Sequence, residues 1–406
     1  MSERTITIER LGHRGDGIAE GPIYAQGCLP GERVTGDLDG ERLTNIRVLE
    51  SSPARVRPPC RHAKSCGGCT FQHVRDNIVE AWKADVVERA LGSHDIDVTI
   101  AATVTSPPQS RRRATVHAKR TKSGSIVGFF GRNSHNLIDT PDCMLLSQEV
   151  LNARPLLDEL TRVGASRSST ISISVLVSEG GLDVSVGEAK PADRGMLTVL
   201  AELAGRYDLA RLCWNGEVIA QARPAFHQMG PAQVVPPPGA FLQATKHAEA
   251  ALVDLVQRAT DGAAHVVDLF AGCGTFALPL TQTRSVHAVE GAPELLQAAH
   301  GAWARVGGLH KLTTEARDLF RRPLMPDELA RFDAAIIDPP RAGAAAQVAE
   351  LAKSAVPVIA AVSCNPVTFA RDAAVLVAAG YTMGPVTIVD QFRWSHHIEL
   401  FAEFRR

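Results

Sequence analysis

The sequence predicts an α/β protein in three parts: an OB-like β-barrel over residues 1–52, a central α+β domain over residues 53–235, and a C-terminal Rossmann-like domain over residues 236–406. Three observations carry this. After about residue 240, short apolar runs ending at acids or turn residues alternate with helical stretches. The first fifty or so residues are short strand-like segments broken by Gly, Pro and Asp. Between these regions lies a cysteine cluster, Cys60, Cys66 and Cys69, with Cys143 downstream. A chain of 406 residues is also longer than one ordinary core supports.

The N-terminal segments Thr5–Glu9, Ile18–Ala19, Ile23–Cys28, Arg33–Asp37 and Leu43–Leu49 show no helical period, and five short strands imply a small barrel. Ser51–Pro59, with Pro53, Pro58 and Pro59, reads as a stiff linker. In the central part, Ile78, Val79, Trp82, Val86, Val87 and Ala90 recur at helical spacing, which predicts one amphipathic helix over Asp76–Leu91. Ala114–Ala118, Ser125–Phe130, Thr170–Val177 and Leu182–Val186 alternate or are β-rich, with a helix expected over Val150–Val163. In the last part, Val266–Leu269, Ser285–Val289, Ala334–Ile337 and Val356–Val362 have the continuous apolar character of buried parallel strands. Helical stretches such as Ala292–Val306 and Ala344–Ala355 separate them.

Composition narrows the function classes. No apolar run approaches the roughly 18 residues that span a bilayer, so no membrane role is expected. Met1–Arg10 lacks the apolar core of a secretion signal, so a cytoplasmic location is expected. Cytoplasmic thiols stay reduced, which directs attention to metal ligation and catalysis. The formal net charge is −1, so the molecule as a whole does not advertise nucleic-acid binding. Basic residues do gather at Arg55, Arg57, Arg61 and Lys64, and again at Arg111, Arg112, Arg113, Lys119, Arg120 and Lys122, where they could track phosphates or form a solvated face.

The C-terminal part carries a cofactor pattern. In Asp268-x-x-x-Gly272-x-Gly274 a strand ends at an acid, and two glycines let the backbone turn tightly beside a ligand. The acid precedes the glycines and no third glycine follows, which disfavours a nicotinamide dinucleotide. Glu290 ends the second strand, placed to accept from ribose hydroxyls, and Asp318 follows the third apolar run, suited to an adenine amino group. Strand, glycine loop, acid and further acid is the order of S-adenosylmethionine-dependent methyltransferases. Asp338-Pro339-Pro340 ends the next strand, and Arg341 stands where nitrogen-methylating enzymes keep an aromatic residue.

Cys364, in Ser363-Cys364-Asn365-Pro366, lands at the same sheet edge. C5 of uracil is a poor nucleophile until a thiolate adds to C6; the ring then attacks an electrophilic methyl group, and a base must remove the C5 proton. That chemistry needs a cysteine, a carboxylate and the cofactor, and Glu399 is the expected base. His396 and His397, if on a strand, point to opposite faces and do not readily share a metal, so His397 reads as a site-lining residue. Cys60, Cys66, Cys69 and Cys143 offer four thiolates for either a tetrahedral zinc or a [4Fe-4S] cluster, and a triplet with one remote ligand favours iron and sulfur.

These motifs in this order resemble the bacterial RNA uracil-5 methyltransferases, most closely the iron-sulfur 23S rRNA type. The resemblance runs through Pro30-Gly31-Glu32 of a TRAM barrel, the four cysteines, Phe241-Leu242-Gln243, Asp268–Gly274, Glu290-Gly291, Asp318, Asp338–Gly343, Ser363–Pro366 and His397-x-Glu399. It implies a class I methyltransferase domain, a [4Fe-4S] cluster on Cys60, Cys66, Cys69 and Cys143, Cys364 as nucleophile and Glu399 as base. It also implies S-adenosyl-L-methionine contacts from Gln243, Phe270, Thr275, Glu290, Asp318 and Asp338, with RNA as the partner and 23S rRNA as its leading form. The chain departs from the pattern at Thr245, where the family usually has Asn, at Arg393, where Pro is common, and at Ser395-His396-His397 in place of Thr-Gly-His. The alternatives are the same chemistry on tRNA, nitrogen methylation through Asp338-Pro339-Pro340, a radical enzyme, and a zinc-containing RNA-binding protein without activity. No protein partner is readable.

Overall fold

The structure, a computed structural model, describes residues 2–406. At the N-terminus six strands, Ser2–Thr7, Arg10–Leu11, Gly17–Ala19, Ile23–Ala25, Arg33–Asp39 and Arg42–Glu50, form one sheet. The sixth arises because Arg10–Leu11 pairs with Gly17-Ile18. Side chains that alternate inward, Ile8, Ala19, Ile23, Ala25, Cys28, Val34 and Leu43, fill its interior. Glu32 is also fully buried, and its carboxylate accepts from the Leu29 amide at 2.8 Å, the Ser52 amide at 3.2 Å and Arg55 Nη2 at 2.7 Å. Every lone pair direction that matters is used, so a buried charge becomes a fastener between barrel and linker.

The central sheet has seven strands in the order Leu137–Asp139, Ser125–Phe130, Arg113–Arg120, Thr170–Ser178, Gly181–Gly187, Arg211–Trp214 and Glu217–Gln221. Ile171, Ile173 and Val175 share one face by the period-two rule and pack with Leu156, Leu157, Leu160, Leu200 and Leu203. The helix expected over 150–163 is two helices, Gln148–Asn152 and Arg154–Gly164, because Pro155 lacks the amide that would continue the first and suits the start of the second.

The third sheet positions the site. Its main strands are β1 (Ile100–Thr105), β2 (His265–Leu269), β3 (Ser285–Glu290), β4 (Leu312–Ala316), β5 (Ala334–Ile337), β6 (Val358–Ser363), β7 (Val386–Asp390) and β8 (Leu400–Arg405). They lie in the order β4-β3-β2-β5-β6-β8-β7-β1, and Thr382–Met383 adds a short pair on β8. β2 to β6 run parallel, and β8 is antiparallel to both of its neighbours. Two apolar clusters cover the sheet, which is why its central strands read as unbroken apolar runs. Strand order reverses between β2 and β5, opening a crevice at their C-terminal ends.

Residues 76–105, expected in the central unit, fall with this third sheet. β1 pairs parallel with β7, and Val87, Leu91 and Ile96 join the core that holds Val386 and Ile388. Among the described residues no helix is long and apolar enough to cross a membrane.

Candidate active site

The glycine loop leaves β2 after Leu269, one residue beyond Asp268, and turns through left-handed backbone at Phe270 (φ +62°), Gly272 (φ +54°) and Gly274 (φ +88°). A Cβ at Gly272 would meet nothing within 4 Å, whereas one at Gly274 would strike Leu278 Cγ at 2.9 Å. The first glycine therefore faces open space suited to a ligand, and the second is required by packing. Phe270 lies against Phe320 with ring centroids 5.4 Å apart. Phe320 is largely exposed and belongs to no sequence motif, yet it forms the apolar rim of the crevice beside Asp318.

The sequence-identified acids converge on this crevice in different states. Asp268 is fully buried, neither carboxylate oxygen accepts a hydrogen bond of ordinary length, and its nearest backbone donor is the Ala277 amide. Burial, then the nearby Asp338 carboxylate, holds its pKa well above the usual value. Burial likewise pushes the Asp338 carboxyl up to about 7. Glu290 is already engaged, accepting from the Gly272 amide at 3.1 Å and the Ala292 amide at 3.0 Å. Asp318 is more exposed and accepts from the Phe320 amide at 3.0 Å. Thr275 lies half-buried in the glycine loop, and Gln243 is buried beside the C-terminal loop.

Cys364 and Glu399 come together by strand register. β6 and β8 are antiparallel, and their last paired residues are Ser363 and Leu400. Continued one residue further, that register sets Cys364 opposite Glu399, with both side chains on one face of the sheet. Cys364 is half-buried, and its thiol pKa is raised by burial, then by the Glu399 and Asp338 carboxylates, while Arg341 opposes them. Burial, and then Asp338, also keeps the Glu399 pKa well above the usual carboxylate value. Asn365-Pro366 caps a helix: the Asn365 side chain accepts from the Val367 amide at 3.1 Å at the start of Pro366–Ala378.

Three contributors escaped the sequence reading. Gln391 follows β7, and its side-chain NH₂ donates to Gln243 Oε1 at 2.7 Å and to the Glu399 carboxylate, while its oxygen accepts from the Ala244 amide at 2.6 Å. Lys83 sits inward on helix Asp76–Gly92 and donates to the His397 carbonyl at 3.0 Å. The available signal was a lysine among Val79, Trp82 and Val87 on the buried helix face. Phe320 is the third. His396 and His397 lie in a loop rather than a strand, so their rings stand 4.4 Å apart instead of pointing away from each other.

The cysteines of the expected metal site share one neighbourhood. Burial pushes the Cys69 thiol up to about 12, and its sulfur feels Cys143, Cys66 and Cys60 in that order after the Gln72 side chain. The Gly68 amide donates to Cys66 Sγ at 3.4 Å, and the Leu145 and Leu146 amides face Cys143. All four thiols are free of disulfides. Among the described residues, no three His, Cys, Asp or Glu side chains converge as a single metal ion requires. The loop that carries them is tied to the catalytic side: the Thr70 and Phe71 amides donate to the Trp394 carbonyl at 2.7 and 2.9 Å.

The three consecutive arginines of the second basic cluster turn inward, whereas Arg120 and Lys122 are exposed. Arg112 is buried in an ion pair with Glu249 at 2.5 Å, and the Arg111 and Arg113 guanidinium groups lie over the Phe392 and Phe241 rings at 5.8 and 4.6 Å. From the first cluster, Arg55 serves Glu32. A cavity of about 1020 Å³ and mixed charge, with Arg14, Arg42, Arg132 and Arg341 interspersed with Asp16, Asp39 and Glu41, runs from the N-terminal sheet past Cys69 to His396.

The tRNA (uracil-5-)-methyltransferase family matches residues 227–403. A Rhizobium meliloti protein described as an uncharacterized RNA methyltransferase is 42% identical over 416 aligned residues, covering 100% of both chains. The 23S rRNA (uracil(1939)-C(5))-methyltransferase RlmD of Halomonas elongata is 30% identical, covering 98% of this chain and 88% of its own length. The crystal structure of Pyrococcus abyssi tRNA (uracil-54, C5)-methyltransferase with S-adenosyl-L-homocysteine superposes with a TM-score of 0.76 at 21% identity, over 99% of this chain and 100% of that one, and so shares its fold. By this full-length likeness the chain belongs to the RNA (uracil-5-)-methyltransferase family.

Proposed function

We propose that the protein methylates C5 of a uridine in 23S rRNA, using S-adenosyl-L-methionine, with Cys364 as nucleophile and Glu399 as base. The observation that carries the reading is the register that sets Cys364 opposite Glu399 at the sheet edge, beside Asp338.

The residues fit a cationic methyl donor. Asp268 is a fully buried carboxyl without a hydrogen-bond partner, half-buried Asp338 stands beside it, and no cation pairs with either, an arrangement that costs stability until a positive ligand arrives. When bound, the donor supplies an electrophilic methyl group on a sulfonium. Glu290 can turn from its backbone partners to ribose hydroxyls, Asp318 can accept from an adenine amino group beside the Phe270–Phe320 pair, and Gln243 and Thr275 are further contacts.

The Cys364 thiolate adds to C6 of the uracil; the C5 carbanion so formed would take the methyl group, the electron pair of the methyl–sulfur bond staying on the donor's sulfur, which leaves as a neutral thioether. Glu399 then removes the C5 proton, and the electron pair of that C–H bond forms the C5–C6 double bond as the Cys364 sulfur leaves C6. Burial and Asp338 keep Glu399 from being a permanently ionised carboxylate, which suits a group that gains and loses a proton each cycle. Exposed Arg341 at the mouth offers no stacking face of the kind nitrogen methylation uses.

Cys60, Cys66, Cys69 and Cys143 fit a [4Fe-4S] cluster: four thiols with backbone amides facing sulfur are the donor set that holds one and stabilises its negative charge. The hydrogen bonds from Thr70 and Phe71 to Trp394 give such a cluster a structural purpose, holding the loop that leads to Glu399. Ribosomal RNA is favoured by the RlmD relative, and Arg14, Arg42, Arg132 and Arg341, spaced along the groove from the TRAM-like barrel among Asp16, Asp39 and Glu41, are candidate phosphate contacts.

Nucleoside mapping of 23S rRNA and tRNA from cells lacking the gene tests this. The reading expects loss of one 5-methyluridine in 23S rRNA with tRNA unchanged. Loss confined to tRNA, or of an N-methylated base, overturns it.

A further inference from the structure

With one side chain Gln391 reaches both the Glu399 carboxylate and Gln243. Its amide orientation follows from its partners. The Ala244 N–H must face the oxygen, so the NH₂ group must face two acceptors, Gln243 Oε1 and the Glu399 carboxylate. All three side chains are nearly removed from solvent, so no water substitutes cheaply for a lost partner. With one carboxylate oxygen of Glu399 engaged this way, the other is left to address Cys364 across the sheet edge.

We propose that Gln391 is a positioning residue for the methylation reaction: it orients the Glu399 carboxylate toward the C5 proton and ties that orientation to Gln243. This rests on the reading of Glu399 as the base. A hydrogen bond donated to a carboxylate favours its ionised form. Here it opposes burial and the Asp338 carboxylate, which both favour the protonated form. The other charged or titratable groups around Glu399 are the Cys364 thiol just after β6, Arg341 after β5, His397 in the preceding loop, and the Lys83–Asp390 pair joining its helix to β7.

The consequence falls on one step. Addition of the thiol and methyl transfer do not require the base, whereas elimination does: the C5–H pair becomes the C5–C6 double bond, sulfur leaves C6, and the proton goes to Glu399. Without Gln391, Glu399 is more often protonated and less well aimed. The methylated adduct should therefore persist.

The test uses the full-length protein with RNA from cells lacking the gene, labelled with tritium at uracil C5, and follows tritium release together with the denaturant-resistant protein–RNA adduct. Adduct decay against pH isolates Glu399, because the Cys364 thiol is already bonded. For Gln391→Met, which keeps the side chain's length without its amide, we expect slower decay by about 10-fold or more, and a rising limb displaced upward by about one pH unit. Gln391→Glu sets a second carboxyl beside Glu399 and should displace the limb at least as far. Should the Met variant unfold, the Glu variant decides. Decay rates and pH limbs like wild type in a folded variant overturn the proposal while leaving Glu399 as base. A wild-type enzyme that releases no tritium overturns both.

Discussion

Lys83 donates to the carboxylate of Asp390 at 2.7 Å, with neither side chain reaching solvent. The same ammonium reaches the His397 carbonyl at 3.0 Å. One helix thereby holds both ends of the segment that contains Gln391 and leads to Glu399. Burial lowers the Lys83 pKa, and the Asp390 carboxylate opposes it, so the pair stays ionic only because each member is present.

Lys83→Met leaves Asp390 as a lone buried charge. The expected cost is about 3–5 kcal/mol in urea denaturation, most of it recovered when Asp390→Asn is added. Activity should stay low in the double variant, because the His397 carbonyl still lacks its donor. A single variant as stable as wild type contradicts the pairing.

Asp268→Asn and Asp338→Asn should each stabilise the cofactor-free enzyme and weaken S-adenosyl-L-methionine binding. Asp268 is buried without a partner and half-buried Asp338 stands beside it, so each amide removes a destabilising carboxyl along with the charge that would meet the cation. The sign follows from the raised pKa of Asp338. Its stabilising contribution is complete at pH values below that of an unfolded carboxyl and is lost as pH rises towards about 7. The melting temperature of cofactor-free wild type should therefore fall from about pH 5 to pH 8, and fall less in Asp338→Asn. Calorimetry with and without cofactor checks both.

Glu399→Gln keeps the shape but cannot accept the proton. Multiple turnover should drop by about 100- to 10,000-fold, with a methylated enzyme–RNA adduct accumulating. Denaturing gels read this directly, and loss of activity without any adduct would move the base elsewhere.

Cys66→Ser removes a thiol whose loop is bonded to Trp394. Faster amide exchange is expected over residues 391–399, with the core strands β2 to β6 unchanged. Exchange confined to the cysteine loop would separate the cluster from the catalytic segment.

Much of this arrangement was legible from pattern. Asp268, Glu290 and Asp338 each end or follow an apolar run, and a parallel sheet puts such ends at one edge. Glu399 could be named because the chemistry needs a carboxylate and one stands in His396-His397-Ile398-Glu399; that it comes just before a strand antiparallel to the one ending at Ser363 was not legible. Gln391 and Phe320 were not legible, since an amide or a ring has no chemistry of its own until folding supplies neighbours. Arg111, Arg112 and Arg113 misled for a related reason: in sequence they form a basic run, and only the packing of the central sheet on Glu249, Phe392 and Phe241 turns them inward. The helix Asp76–Gly92 and β1 precede the central sheet in sequence but join the third, a crossing that local periodicity does not encode.

The account depends most on Cys364 bonding transiently to the pyrimidine. Mass spectrometry of wild-type enzyme incubated with cofactor and 5-fluorouridine-substituted 23S rRNA tests it, because fluorine at C5 cannot leave as a proton and halts the cycle after methylation. The account predicts a stable adduct mapped to the peptide containing Cys364 and absent from Cys364→Ala. A Cys364→Ala enzyme that still forms 5-methyluridine on ordinary RNA would contradict it.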